Sequence, residues 1–459
     1  MTVEHRVASP LGHATVSTGE RVLVGRSKRV DVPRSSHGDW EPDPDRPDPV
    51  ELLGEQEVGR LLDLVPLRHA RMSLDPFSFY RGAAALMAWD LTHAPHTDLF
   101  VQMGGDAHIA NFGLYAAPNR ELVFDANDFD ETLPGPWEFD LKRLLVSLVV
   151  GGRSLGITGK GSDRLVRAAV AAYRQVLGEY AAMSDADVWY SRIRMSDVRH
   201  LAERDSELLA VVKATMTRAT RNTAQRAHAK LVDRDGPSPV FRNTRPILVR
   251  LADLPQEFTG ALGAEIEQVV TKYQRSLPDH LKVLMGRYEV LDVARKVVGV
   301  GSVGTECYIV LLQGRRMADP FILQVKQAVA SVYEGDLPKS RYRTSGARVV
   351  AGQHLIQAAS DPFLGSFTTQ SGTSYYVRQF RDAKGSFDVA TMSAHLLSRY
   401  GELCARSLAR AHARSGDSMA IQGYIGKGSA FDEAMVRYSV AYADQNERDY
   451  ERFRSAFAG

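Results

Sequence analysis

The chain has 459 residues, of which 44% are hydrophobic and 24% charged, a composition expected of a folded globular protein with room for two or three domains. A net charge of +2 supplies no overall field to attract nucleic acid, and Cys307 and Cys404 are too few and too far apart for a disulfide scaffold or a thiolate metal site. There is no run of about 18 apolar residues and no apolar core in the N-terminal segment, so neither a membrane span nor a signal peptide is expected, and a cytoplasmic location is.

Residues 1–50 are rich in Pro, Asp, Arg and Ser, most densely from Glu41 to Pro49, which predicts an extended and mostly irregular arm. Apolar spacing through Leu52, Leu61, Leu62 and Leu64 predicts helix, as does the Ala-rich segment Arg81 to Leu91. Asp98 to Met103 reads as a strand, Gly104 to Asp140 as loops joined by short strands, and Leu141 to Val150 as an apolar helix. Helix is expected over 160–232, where Lys213, Arg218, Arg221, Arg226 and Lys230 form either a polar face or an anion-binding series. The pattern changes near Arg287. Val297 to Val300, Cys307 to Leu312 and Phe321 to Val325 read as strands, followed by a helix at Ala347 to Ala359, a strand at Tyr375 to Phe380 and helices from Ser393 to Phe457. The expected organisation is an arm (1–50), a helical part (51–285), a β-rich part (286–381) and C-terminal helices (382–459) that complete the helical part.

Chemistry concentrates in Gly105-Asp106-Ala107-His108-Ile109-Ala110-Asn111 and, after a turn at Pro118-Asn119, in Asp125-Ala126-Asn127-Asp128-Phe129-Asp130. Phosphoryl transfer asks little of a protein: a carboxylate to take the acceptor's proton and oxygen ligands for Mg²⁺ on the phosphates. Asp106 is placed to be the base, with His108 beside it as a second catalytic group or a brace, and Asn111, Asp128 and Asp130 are the metal-ligand candidates. Clusters of Asp, Asn and Gly also cap turns, but turn chemistry does not demand this sequence of spacings.

A second motif, Gly299-Val300-Gly301-Ser302-Val303-Gly304, is followed by a β-branched and aliphatic run rather than by a helix, which favours a strand–glycine loop–strand unit over a dinucleotide-binding turn. Gly299, Gly301, Ser302 and Gly304 would cover phosphates with backbone amides, and Lys326 at the end of the next strand would hold them. Glu334 is the nearest acid to partner that lysine, the helix at 347–359 having none, and Gln379 sits in a strand whose backbone would hold an adenine. Arg68, Arg71 and Arg81 precede the first motif and would contact phosphate or remain solvated.

Gly105-Asp106-x-His108-x-x-Asn111 resembles the GDxHxxN loop of aminoglycoside and choline kinase-like phosphotransferases, Asp128-Phe129-Asp130 resembles their metal-binding triplet, and Asp140-Leu141 resembles the pair that opens their next helix. Leu408-Ala409-Arg410-Ala411-His412 resembles the end of the helix that ordinarily runs into that loop. Over its whole length the chain also resembles the bacterial family called domain of unknown function 2252, on Gly105 to His108, Asn127 to Glu131, Pro134 to Trp137 and Ala409 to Asp417. The resemblance implies an α+β, protein-kinase-like two-lobed fold that is circularly permuted, because the catalytic loop precedes the glycine loop. The expected function is ATP- and Mg²⁺-dependent transfer of phosphate to a hydroxyl of a small molecule or protein. Nucleotidyl (AMP) transfer on the same fold and a non-catalytic nucleotide-binding scaffold are the alternatives. No nucleic-acid or membrane partner is expected.

Overall fold

The computed structural model describes residues 17–457 apart from 223, 236–237, 257–258, 260–264, 316–319 and 381–383, so what the sequence implies for 1–16 lies outside the described residues. The expected irregular arm contains a helix, α1 (Thr18–Asp31). Its cause is local: Ser17 and Glu20 form a reciprocal cap, with the Ser17 hydroxyl accepting from the Glu20 amide at 3.3 Å and the Glu20 carboxylate accepting from the Ser17 amide at 2.8 Å. A Cβ on Gly25 would fall 1.8 Å from the carbonyl oxygen of Ala420, so α1 rests backbone-on-backbone against the helix Ser418–Ile425. Residues 39–48, the Pro- and Asp-rich part, are irregular as expected.

Short helices at Pro49–Glu55, Val65–Met72, Pro76–Gly82 and Ala84–Thr92 lead to β1 (Phe100–Met103). The hairpin β2 (Phe112–Ala116) and β3 (Leu122–Ala126) follows, then β4 (Leu133–Pro136), which returns to pair antiparallel with β1. β4 runs into α2 (Trp137–Ser154), in which every residue from Trp137 to Gly152 is buried. A helix apolar on all sides belongs at the centre of a core. α2 packs its Leu144, Leu148 and Val149 into one cluster with Val166, Val170 and Tyr173 of α3 (Lys160–Ala181) and with Leu397, Ala405 and Leu408 from near the C-terminus. The expected helix over 160–232 is interrupted at Ile193–Arg194, which pairs with β3, and Lys213, Arg218, Arg221, Arg226 and Lys230 are all exposed.

The second half opens with a six-stranded antiparallel sheet. In chain order its strands are β5 (Leu248–Arg250), β6 (Glu289–Lys296), β7 (Cys307–Gln313), β8 (Pro320–Gln327), β9 (Gly365–Thr368) and β10 (Ser374–Gln379), arranged β9-β10-β8-β7-β6-β5. The expected strand at Val297 to Val300 is not one. β6 ends at Lys296, and 297–306 forms the connecting loop because Gly299 and Gly304 turn the chain with φ of +64° and +93°, outside any strand conformation. One face of the sheet buries Tyr308, Val310, Leu323 and Val377 against Val269 and Tyr273; the other buries Ile309, Leu311 and Ile322 against Ala227, Val232 and Phe241. The helix α4 (Ser345–Ile356) joins β8 to β9, and α5 (Ala394–Ser415), Ser418–Ile425 and α6 (Ala430–Phe457) complete the helical core. The chain is therefore α+β, with helices and sheet largely segregated along the sequence.

Gly25→Ala places a methyl group where the Ala420 carbonyl lies. Overpacking of this kind costs about 1–3 kcal/mol. Urea denaturation is expected to show that loss for Gly25→Ala and almost none for Gly54→Ala, where a Cβ would meet nothing within 4 Å.

Candidate active site

The loop after β1, the turn after β3 and the glycine loop face one cleft of about 870 Å³, open to solvent. The loop after β1 is built from below. Asp140, in the first turn of α2, accepts hydrogen bonds from the amides of Gly104 (2.7 Å) and Gly105 (2.9 Å). His412 backs Asp140 at 3.4 Å and bonds the Tyr173 hydroxyl through its other nitrogen at 2.7 Å, so this fully buried histidine braces the loop from behind. Gly105 has φ of +79°, and a Cβ there would lie 2.3 Å from the Glu131 carbonyl oxygen; only glycine permits that turn and that contact.

These constraints present Asp106 to the cleft. Arg143, three residues beyond Asp140 on the same helix, donates Nε to Asp106 Oδ1 at 2.9 Å and holds Nη2 at 2.8 Å from it. Asn111 donates its amide nitrogen to the Asp106 carbonyl at 2.8 Å and to Oδ2 at 3.2 Å, and His108 Nε2 stands 3.5 Å from Oδ2. Burial pushes the Asp106 carboxyl up, but its charged surroundings, the guanidiniums of Arg143 and Arg81 among them, outweigh that and hold it below its usual value, so it is ionised at neutral pH. His108 is driven down to about 3, chiefly by burial, and is neutral. It stacks edge-on to Phe77, and its Nδ1 is buried with no partner among the described residues.

The turn after β3 supplies the other carboxylates. A bond from the Asn127 amide to the Asn111 carbonyl (2.8 Å) sets Asp128 beside Asn111. With its nitrogen committed to Asp106, Asn111 keeps its side-chain oxygen for a ligand. Asp130 is fully engaged: Oδ2 meets Lys326 Nζ at 2.5 Å and Oδ1 accepts from the Tyr376 hydroxyl at 2.7 Å. Lys326 also lies 3.7 Å from Asp128 Oδ1. Burial and the neighbouring Asp130 push Asp128 up, whereas for Asp130 the lysine and the tyrosine outweigh burial and hold it down. Mg²⁺ is ordinarily held by one or two carboxylates together with phosphate oxygens rather than by an all-protein cage. Asn111 and Asp128 fit that donor set; Asp130 carries one partner on each oxygen, Lys326 and Tyr376. Among the described residues no group of three or more His, Cys, Asp and Glu is arranged to hold a metal.

The structure thus brings Asp106, His108, Asn111, Asp128, Asp130, Lys326 and the loop residues Gly299, Gly301 and Ser302 to one place, and leaves three expected residues out. Glu334 does not reach Lys326: it lies in a turn and meets Arg348 at 3.3 Å. Arg348, from α4, also donates to the carbonyls of Thr132 (2.6 Å), Asp130 (2.8 Å) and Val329 (2.7 Å), so this helix grips the Asp130 turn with an arginine instead of gripping Lys326 with an acid. Gln379 is paired in the sheet opposite Leu323, and its amide donates to Asp361 at 2.5 Å, so that donor is not open to an adenine. Gly304 does not line the cleft; the nearest atom to a Cβ built there is the Cβ of Arg60.

Arg60 and Arg143 were not legible from the sequence. Arg60 donates to the carbonyls of Gly301 (2.9 Å) and Val303 (2.5 Å), and Arg71 to Gly299 (2.6 Å), so the glycine loop is held by its carbonyls from outside. Among the described residues the amides of Gly299, Val300, Gly301 and Ser302 have no hydrogen-bond partner. Arg68 is fully buried on Glu57 (2.9 Å) and is structural.

Asp125, the nearest rival to Asp128, is buried with both oxygens on Arg410 Nη2 (2.7 and 2.6 Å) and a third bond from Ser407 (2.8 Å). Removing one member of such a pair costs about 3–5 kcal/mol. Denaturant titration is expected to show that loss for Asp125→Ala, while Asp128→Ala, whose side chain is 36% exposed, stays near wild type.

No curated protein and no solved structure matches the chain. A family model does, across most of its length. It spans residues 60–456 and so takes in the loop after β1, the Asp128 turn, the glycine loop and Lys326, and by that match the chain belongs to the family described as "Uncharacterized protein conserved in bacteria (DUF2252)".

Proposed function

We propose that this protein is an ATP- and Mg²⁺-dependent phosphotransferase of the protein-kinase-like kind, circularly permuted, that passes phosphate to a hydroxyl of a small molecule or a protein. One observation carries the reading: Lys326 lies on the strand that follows a glycine-looped hairpin and meets, across 196 residues of sequence, Asp130, which lines the cleft together with Asp106 and Asn111. Strand, glycine loop, strand, lysine strand and helix, opposed by a base Asp and metal-ligating Asn and Asp, is the arrangement that phosphoryl transfer from ATP uses.

The permutation draws support from the end of α5. Ser415 accepts from the Gln102 amide at 3.1 Å, and a Cβ on Gly416 would lie 2.9 Å from the Phe100 carbonyl oxygen. The helix whose sequence resembles the lead-in to a catalytic loop therefore ends against β1, the strand that enters the loop here. Rejoining the chain at that point would restore the ordinary order, and new termini at other surface positions cost little.

The residues' tasks follow from their states. The unpartnered loop amides would donate to phosphate oxygens, and Lys326, fixed by Asp130, would add a positive charge. Mg²⁺ on the nucleotide would neutralise charge that develops on the phosphates, with Asn111 and Asp128 as its protein ligands. Asp106, ionised and held by Arg143 and Asn111, orients the acceptor hydroxyl and takes its proton late, which an acidic carboxylate can do when the transition state is loose.

The test is calorimetry of nucleotide binding with and without Mg²⁺, together with ATP turnover labelled on the γ- or the α-phosphate. Wild type is expected to bind ATP more tightly with Mg²⁺ and to release or transfer the γ label. Asp128→Ala should abolish the Mg²⁺-dependent tightening. Asp106→Asn should keep nucleotide affinity and lower turnover by about 10²–10⁴-fold. Transfer of the α label alone would replace the reading with nucleotidyl transfer, and a wild-type protein that binds no nucleotide would end it.

A further inference from the structure

Of the three arginines ahead of the first motif, two are accounted for: Arg68 is bound to Glu57 and Arg71 to the glycine loop. Arg81 is not. It lines the cleft together with Asp106, Asn111, Asp128 and the glycine loop from Gly299 to Ser302. Its side chain makes no hydrogen bond and no ion pair with any described residue, and its Nε is buried without a partner among them. A guanidinium remains charged at any physiological pH and presents five donors. Asp106, Asp75 and Asp128 all attract this one from a distance, yet their pull is smaller than the cost of its burial. A buried donor left unpaired in an otherwise well-bonded site calls for a missing acceptor.

The position of Arg81 is fixed by the same residue that fixes Asp106. Arg143 donates Nη2 to the Tyr80 carbonyl at 2.7 Å, receives the Tyr80 hydroxyl on its own carbonyl at 2.8 Å, and lies 3.8 Å over the Tyr80 ring. The last turn of the helix Pro76–Gly82 is thereby fastened to the Asp106 loop, with Arg81 as the next residue along. On its other side, a Cβ on Gly301 would lie 3.1 Å from the Arg81 carbonyl oxygen, so the glycine loop rests on this backbone. Arg81 therefore stands between the base, the metal-ligand carboxylate and the loop amides. Asp106 is already paired with Arg143 and Asp130 with Lys326, so neither of those carboxylates is tied to Arg81.

Resting on the phosphotransferase reading, we propose that Arg81 binds the terminal phosphate of the nucleotide held under the glycine loop, as an arginine supplied by the chain itself. A planar fork of donors matches phosphoryl oxygens, and charge placed there is retained as the group passes over. In that transfer the acceptor oxygen bonds to the terminal phosphorus, the bond from that phosphorus to the bridging oxygen breaks, ADP leaves with the electron pair, and the hydroxyl proton goes to Asp106.

The experiment is calorimetry of Mg²⁺-ATP and Mg²⁺-ADP on wild type, Arg81→Ala and Arg81→Lys, with urea denaturation as the control for folding. Loss of charge-assisted bonds to one phosphate is expected to lower the ATP-to-ADP affinity ratio of Arg81→Ala by roughly 10- to 100-fold, leaving ADP affinity within about twofold of wild type. Arg81→Lys, which keeps the charge without the fork, should fall between, and it carries the test if Arg81→Ala does not fold. An unchanged ratio in these variants, or equal loss for both nucleotides, overturns the assignment of Arg81 while leaving the phosphotransferase reading in place. A wild-type protein that binds neither nucleotide overturns both.

Discussion

Lys326 carries its charge to a position only 2% exposed, where an ammonium is stable only if carboxylates replace the water it has lost. The carboxylates that do so belong to the distant turn at Asp128 and Asp130. Much of the surrounding structure serves to keep that turn in reach. Tyr376 holds the second oxygen of Asp130, Arg348 ties down three carbonyls around it, and Glu131 accepts the Val332 amide at 2.8 Å while its own carbonyl takes the Ser331 hydroxyl at 2.8 Å. Burial above all pushes Glu131 up to about 7. Helical part and sheet meet at a buried charge, and the geometry of the cleft follows from satisfying it.

Where the sequence was legible, the information was contiguous. Asp106, Asn111 and Asp128 sit within one loop–hairpin–turn unit whose spacing can be counted, and the glycine motif announced a hairpin because an aliphatic run follows it. Where it failed, a local signal was outweighed or the partner was remote. The Pro- and Asp-rich composition of the first fifty residues obscured the Ser17-to-Glu20 cap that starts a helix. Val297 and Val298 look like strand residues, but the loop needs them as its ascending arm. The short strands β5 and β9 take their pairing from neighbours and carry almost no pattern of their own.

The same limit governs the site. Arg143 lies inside an apolar helix and reads as an anomaly in a core until Asp106 is seen above it; Arg348 reads as one more surface arginine until it is found buried on the Asp130 turn. Glu334 was the only acid in range along the sequence, yet the lysine found its partners 196 residues away. On the proposed reading, this chain keeps the polar groups of phosphoryl transfer but holds its lysine from the opposite side of the cleft, with an arginine on the helix that follows.

The helix α2 is enclosed on all sides, yet part of its cover is made last. Arg153 at its end pairs with Glu447, 294 residues further on, and Tyr400 closes over the Ile109 carbonyl from 291 residues away. A chain leaving the ribosome at about 5–20 residues per second therefore carries this apolar helix uncovered for on the order of tens of seconds. The sheet, whose strands fall between Leu248 and Gln379, is complete before α5 has been made. Synthesis thus finishes the sheet first and the helical core last, and the interval between them is when a nascent-chain chaperone would find its hold.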